Sequence, residues 1–299
     1  MSPTVSVVIP FYNRSQFIGH AVGSVLAQTR PVDEIIIVDD GSRPEEAAAL
    51  DRFRDSCIVV QQGNGGPAAA RNTGVARASG EWISFLDDDD GWEPNRLEVL
   101  MSYLERHPEC SALHHAVRLD GSQVVFRKAP LSLKDFLHAH PSPASTSTVL
   151  IRRSALLKCG LMNPVMSPKE DHDCFVRLAM HHSFHYVDEP LTVRRLHQDN
   201  ISNDVARECA AAIRMFSCYE SLYSSRADYL SFLRKLNVVL GCRCVYARRW
   251  RTLGKILSWS RGQGIGRLGL TGRIAAALLR NRMSRSRGIP TGGFNGACL

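Results

Sequence analysis

Four consecutive carboxylates, Asp87-Asp88-Asp89-Asp90, follow the apolar segment Trp82–Leu86. Like charges this close repel one another unless a cation or hydrogen-bond donors neutralise them. In an extended chain Asp87 and Asp89 leave on the same face. Two hard oxygen ligands on one face suit Mn²⁺ or Mg²⁺, with substrate phosphates completing the shell. The competing readings are a solvated acidic turn, or a cap on the following helix, for which Asp90 is placed. Two further polar clusters also stand directly after apolar runs: Pro10-Phe11-Tyr12-Asn13 and Asp39-Asp40. A third acidic stretch, Lys169-Glu170-Asp171-His172-Asp173, precedes the apolar Phe175–Leu178. There it can cap a helix, hold a general base, or do both.

The elements that must position these groups can be read from periodicity. Val5–Pro10, Glu34–Val38, Ile58–Gln61 and Trp82–Leu86 are short, β-branched or aromatic runs without polar alternation, which predicts buried strands. Between them, Ser15–Gln28, Glu45–Arg54 and Ala68–Ser79 carry helical spacing, and Gly63–Pro67 reads as a loop. Strand–helix alternation with short connections predicts an α/β fold, a mainly parallel sheet with helices on both faces. Ligands of such sheets sit at the carboxyl ends of the strands, where the polar clusters fall. Further on, a helix is expected from Pro94 to about His107, strand pieces at Leu113–Leu119 and Val124–Phe126, and a strand at Thr146–Arg152. A helix over Asp171–His181 and an extended Tyr186–Arg195 follow. Val205 to about Leu240 reads as helical, with two basic amphipathic stretches near 245–260 and 267–283.

Taken in order, VSVVIPFYNR, IIIVDDGS, GPAAARNTGVARASGEWISFLDDDDGWEP and KEDHDCFVRLA resemble the family 2 glycosyltransferases over roughly residues 4–205. The resemblance implies a GT-A fold and an inverting, metal-dependent transfer from a nucleotide sugar, with UDP the expected nucleotide. It places Pro10 and Tyr12 against the nucleotide and Asp40 on the base, with Asp39 as the weaker partner. Arg71 falls near the diphosphate, where a permanently charged fork suits phosphate oxygens. Asp87-Asp88-Asp89 matches the family's DxD motif: Asp89 and Asp87 are the implied ligands for Mn²⁺ or Mg²⁺, and Asp88 is grouped with the nucleotide contacts. Asp171 matches the general base, with Glu170 beside it. His197, in Arg194–Ser202, would face the diphosphate or the metal. The chain departs from the family at Pro141–Thr148, which lacks the glycine often found before the strand at the acceptor site. The expected acceptor is a saccharide or lipid-linked saccharide, in cell-surface polysaccharide or glycoconjugate synthesis. The expected division is 1–115 for the nucleotide-sugar half, 116–205 for the acceptor half and 206–299 for a helical, basic extension.

Two other classes compete. A nucleotidyltransferase would carry a Gly-rich, Arg/Lys-bearing loop after its first strand, and Pro10–Arg14 is not one. A non-catalytic homologue would have lost its acidic residues, and all are present.

Charge is unevenly spread over the 299 residues. Residues 229–299 hold 14 Lys/Arg and no Asp/Glu, against 23 basic and 29 acidic residues before them. Tyr246, Trp250, Leu253 and Leu257 share a helical face, with Arg248, Arg251 and Lys255 elsewhere on the turn. That pattern suits peripheral contact with an anionic membrane. An extension packed on the catalytic domain, or a basic surface without a partner, would also give it. Nucleic acid is not an expected partner, because no binding motif accompanies the charge. No run reaches the roughly 18–20 apolar residues of a membrane span, and no cleaved leader is expected. Nine scattered cysteines, without paired CxxC spacing, read as reduced thiols in a cytoplasmic chain at or near the inner membrane face.

Overall fold

The computed structural model describes residues 3–121, 125–126, 129–138, 145–195, 204–265 and 274. It divides into two compact units, Met1–His197 and Gln198–Leu299.

In the first unit, β1 (Val5–Phe11), β2 (Glu34–Asp39), β3 (Ile58–Gln61) and β4 (Trp82–Phe85) run parallel in the spatial order β3-β2-β1-β4. Every residue of β1 is buried, which is why its run is continuously apolar rather than alternating. Val5, Val7 and Ile9 pack with Ile18, Ala21, Val22 and Val25 of α1 (Ser15–Leu26). On the other face Val8 meets α3 (Pro67–Arg77) so closely that a Cβ on Gly74 would lie 2.2 Å from Val8 Cγ1. The helix expected over Glu45–Arg54 is instead a short α2 (Pro44–Ala47) continuing as a tighter 3₁₀ turn, Ala48–Phe53. Leu50 is the sole buried residue of these ten, so no apolar stripe supports a full α-helix there.

Beyond β4 the sheet changes character. After β5 (Gly91–Trp92) and α4 (Arg96–Arg106) come β6 (Ala112–Leu119) and β7 (Val125–Phe126), then β8 (Val149–Arg152) and β9 (Phe184–Arg194). The spatial order continues β4-β8-β6-β9-β5, with β7 on β6. β8 is antiparallel to both β4 and β6, while β6 and β9 are parallel. The parallel arrangement expected from the first ninety residues therefore holds from β3 to β4, and the whole sheet is mixed. The second half contains short elements that carry little periodicity: α5 (Leu133–His138), α6 (Arg153–Lys158) and α7 (Glu170–Ala179). The strand expected over Thr146–Arg152 begins with a 3₁₀ turn, Thr146–Thr148. Ser145 Oγ accepts from the Ser147 amide, and Thr148 Oγ1 donates to the Ser145 carbonyl. These local hydroxyl bonds displace the strand ladder.

The second unit holds α8 (Val205–Cys218), α9 (Arg226–Tyr246) and α10 (Trp250–Gly262). The helical stretch expected from Val205 to Leu240 is interrupted where Ser225 caps α9, its hydroxyl accepting from the Asp228 amide at 3.1 Å. Phe216 and Phe232 pack ring to ring at 4.7 Å, and an ion pair joins Glu208 to Arg243. The face expected to carry Tyr246, Trp250, Leu253 and Leu257 together is divided. Leu253 and Leu257 pack with Cys242 and Ile274, while Tyr246 and Trp250 are exposed. The basic stretch 267–283 lies outside the described residues apart from Ile274. Among the described residues no helix is long and apolar enough to cross a membrane.

Candidate active site

The polar ends of β1, β2 and β4 come together because parallel strands deliver their carboxyl ends to one edge of the sheet. Pro10 and Phe11 end β1 inside the core, and Tyr12 emerges 46% exposed. Asn13 takes a left-handed conformation, φ 51°, which asparagine tolerates. Its side chain accepts from the Arg43 amide at 2.8 Å. Asp39 accepts from the Ser42 amide at 3.0 Å, closing the turn after β2. Asp40 is buried and clamps the glycine loop. It accepts from the Gly65 and Gly66 amides, both at 2.8 Å, and from Gln62 Nε2 at 2.7 Å. Gly66, at φ +82°, makes the left-handed turn into α3 that lets both amides face one carboxylate.

The acidic run after β4 does not continue as extended chain. The Asp90 amide donates to the Asp87 carbonyl at 3.1 Å, so the backbone turns through Asp88 and Asp89. That turn brings one carboxylate oxygen each of Asp87, Asp89 and Asp90 within 4.8 Å of one another. Asp90 is buried and accepts from Ser147 Oγ at 2.7 Å and from the Arg195 amide at 3.2 Å. It does not cap α4, whose preceding residue is Asn95.

The charges are balanced unevenly. One guanidinium nitrogen of Arg14 bridges Asp88 at 3.1 Å and Asp89 at 2.9 Å. Burial pushes the Asp88 carboxyl up to about 7 against the pull of Arg14. Burial, then the charges of Asp87 and Asp89, push Asp90 up to about 7 as well. Burial alone would also raise Asp87, but the adjoining Arg71 guanidinium, 2.6 Å away, holds it below the usual carboxylate range. Asp87, Asp89 and Asp90 together offer only carboxylate oxygens to a shared ligand. This all-oxygen donor set fits a hard divalent cation such as Mn²⁺ or Mg²⁺.

Arg71 is the hub between the acidic motifs. Almost fully buried, it pairs with Asp87, lies 3.4 Å from Glu170 on α7, and donates to Thr146 Oγ1 at 3.2 Å. Glu170 is buried, and that burial together with Asp171 raises its carboxyl. Asp171, half-buried in the first turn of α7, accepts from the His172 amide at 2.7 Å. His197 lies outside the described residues.

The profile of glycosyl transferase family 2 matches residues 6–158 of this chain, which takes in the strands up to β8, the glycine loop and the acidic turn. The chain belongs to glycosyl transferase family 2. It is 27% identical over 289 residues to Escherichia coli K12 WcaA, which bears the provisional name of a colanic acid biosynthesis glycosyl transferase. That alignment covers 91% of this chain and 99% of the relative. An uncharacterised Haemophilus influenzae glycosyltransferase is 26% identical over 216 residues, 67% of this chain and 71% of the relative. Among solved structures, S. aureus TarS 1–349 in complex with UDP superimposes with a TM-score of 0.59 at 16% identity, covering 93% and 92% of the two chains. The same protein with UDP-GlcNAc gives 0.56 at 20%, covering 87% and 74%. The fold is of the GT-A type and the protein is a glycosyltransferase.

Several residues of this glycosyltransferase site were not apparent from sequence. Ser145, Thr146 and Ser147 turn their hydroxyls onto Asp87 and Asp90. The run of hydroxyl residues before β8 was their only signal. Trp92 Nε1 donates to the Ser147 carbonyl at 3.0 Å, and the fully buried Arg96 lies 3.7 Å over the Trp92 ring. Arg96 also donates to Ser84 Oγ and the Val149 carbonyl, tying β4 to β8 behind the acidic turn. Nothing in the local pattern separates Arg14 or Arg96 from a surface arginine.

Proposed function

We propose that this family 2 enzyme inverts configuration while moving a sugar from UDP to a hydroxyl of a saccharide or lipid-linked saccharide, in polysaccharide or glycoconjugate synthesis. The observation that carries the reading is the gathering of Asp87, Asp89 and Asp90 at the carboxyl ends of parallel strands, joined through Arg71 to the first turn of α7. A divalent cation, Mn²⁺ or Mg²⁺, would be held by Asp89 with Asp87, and His197 keeps the ligand role implied by the family resemblance. When bound, such a cation supplies charge neutralisation for a departing diphosphate.

The chain's own groups divide the remaining work. Pro10 and Tyr12 flank the nucleotide, Asp40 faces the base while clamping the glycine loop, and Asp39, the weaker partner, holds the turn after β2. Asp88 stays beside the nucleotide, paired with Arg14. Arg71 aligns the acidic turn with α7 and contributes positive charge next to the diphosphate. Asp171 accepts the acceptor hydroxyl's proton as that oxygen attacks the anomeric carbon. The bond from that carbon to the diphosphate breaks on the opposite face, so the product is inverted. Burial of Glu170 against Arg71, set beside the greater exposure of Asp171, supports Asp171 as the base and Glu170 as the group that orients Arg71. Residues 1–115 form the donor half and 116–205 the acceptor half. The basic region 206–299 brings the enzyme to the inner face of the membrane through exposed Tyr246 and Trp250 with Arg248, Arg249 and Arg251. The TarS complexes with UDP and UDP-GlcNAc favour a uridine nucleotide here.

Incubation of the protein with UDP-sugars and Mn²⁺ tests the reading. Release of UDP without added pyrophosphate, stopped by a chelator, is the expected result. Absence of nucleotide-sugar binding with and without Mn²⁺, or cleavage only with pyrophosphate, would overturn it.

A further inference from the structure

The described residues contain a second group of metal-ligating side chains whose chemistry differs from the acidic turn. His107 follows the last turn of α4, Glu109 stands in the turn before β6, and His185 is the second residue of β9. One ligand atom of each lies within 4.8 Å of the others. β6 runs in the same direction as β4, because each is antiparallel to β8, and β9 is parallel to β6. The acidic turn follows the carboxyl end of β4, whereas this group sits at the amino ends of β6 and β9. It therefore lies at the opposite end of these strands from the acidic turn.

The three side chains are arranged for a shared ligand. His107 Nδ1 lies 3.3 Å from Glu109 Oε1. The imidazoles of His107 and His185 meet edge to face at 5.8 Å. The Tyr103 ring stacks on His107 at 4.3 Å, and its hydroxyl sits 3.0 Å from His185 Nδ1. One tyrosine thus holds both rings, the outer support that metal-binding histidines need to keep tautomer and orientation. Glu109 is exposed and its carboxylate lies beside both imidazoles.

We propose that His107, Glu109 and His185 form a second cation site, selective for zinc-class metals, that clips the end of α4 to β9. Two imidazole nitrogens and one carboxylate oxygen are the donor set of three-ligand zinc sites, with water completing the tetrahedron. Two imidazoles in a set of three donors favour Zn²⁺, Ni²⁺ and Cu²⁺ over the hard Mn²⁺ and Mg²⁺ that suit the carboxylate-dominated acidic turn. The two sites are therefore separated by ligand chemistry as well as by position. His107 and His185 lie on elements far apart in sequence, so the metal bridges α4 to the sheet and binds the folded state alone.

The test is calorimetric titration of chelator-stripped, full-length protein with Zn²⁺, in excess Mg²⁺ to occupy the acidic turn. The wild type and Asp89→Asn are each expected to take up one equivalent of Zn²⁺, and Co²⁺ to develop the visible bands of tetrahedral coordination. His107→Ala and His185→Ala should lose that equivalent, and Tyr103→Phe should weaken it by about 10–100-fold. Zn²⁺ should raise the melting midpoint of the wild type and leave those of the histidine variants unchanged. Glu109→Gln alters an exposed side chain, and weakened Zn²⁺ binding there is the expected result even if a histidine variant fails to fold. Zn²⁺ uptake unchanged in Glu109→Gln and in the folded histidine variants, or absent from Asp89→Asn, would overturn the proposal. Failure of the transfer assay leaves this result independent, since no nucleotide is present.

Discussion

The roles proposed for Asp171 and Asp89 are separable by substitution. Asp171→Asn keeps the shape and the first-turn position but cannot accept a proton. It should lower kcat by about 10²–10⁴-fold while leaving UDP affinity unchanged. Equal loss of UDP binding, measured by calorimetry, would instead make Asp171 a nucleotide contact. Asp89→Asn removes a charge from the group of three carboxylates and breaks its ion pair with Arg14. Mn²⁺-dependent UDP binding should disappear in that variant, with folding retained. Normal Mn²⁺ dependence would mean that Asp87 and Asp90 hold the cation without it.

At the scale of elements, the acidic turn is held from behind by the 3₁₀ turn before β8 and by the close approach of α3 to β1. Ser147 Oγ donates to Asp90 and accepts from the Asp87 amide at 3.1 Å. Ser147→Ala removes both bonds. At about 1.5–3 kcal/mol of stability for a hydrogen bond to a charged group, the melting midpoint should fall, and Mn²⁺ affinity should fall with it as Asp90 loses its anchor. An unchanged Mn²⁺ titration would show that the backbone turn alone fixes Asp90. Gly74 belongs to packing, because its missing side chain lets α3 lie on Val8. Gly74→Ala should cost about 1–3 kcal/mol of stability by overpacking. Chemical denaturation would read this directly, and a neutral result would mean α3 can lift from the sheet.

For the whole molecule, acid sensitivity has a definite sign. His172 is fully buried, and that burial lowers its imidazole from 6.5 to about 4, against the opposing charge of Asp171 and with Lys169 adding to the shift. His115 is depressed in the same direction, by burial and then by Arg96. Between about pH 4 and 6.5 the unfolded chain binds protons at His172 that the folded chain does not, so stability present above 6.5 is lost as pH falls. The His172 contribution is on the order of 3 kcal/mol across that window. Urea midpoints should decline through it, and His172→Gln should flatten the decline. Asp88 and Asp90, raised by burial, act in the opposite sense. A profile rising towards acid pH would show that the carboxyls outweigh the histidines.

Sequence by itself determined what local periodicity and contiguity encode. β1, β2 and β4 were legible because burial leaves unbroken apolar runs; β3, also expected to be buried, is the edge strand and leaves Ile58 and Gln61 exposed. The acidic turn was legible because its four carboxylates are adjacent in the chain. Asp87 and Asp89 were paired by an extended-chain argument, although the structure joins them through a turn that also enlists Asp90. Tertiary structure alone decided the rest. Arg71 meets Glu170 across 99 residues and Thr146 across 75, and Tyr103 meets His185 across 82. Such contacts leave no trace in periodicity, because they are set by which strand ends the sheet brings to one edge. The antiparallel half was equally hidden: its short elements are held by neighbours distant in sequence rather than by their own pattern. The basic tail makes the same point, since Leu253 and Leu257 are partly buried against Cys242 and Ile274 while Tyr246 and Trp250 of the expected face stay exposed.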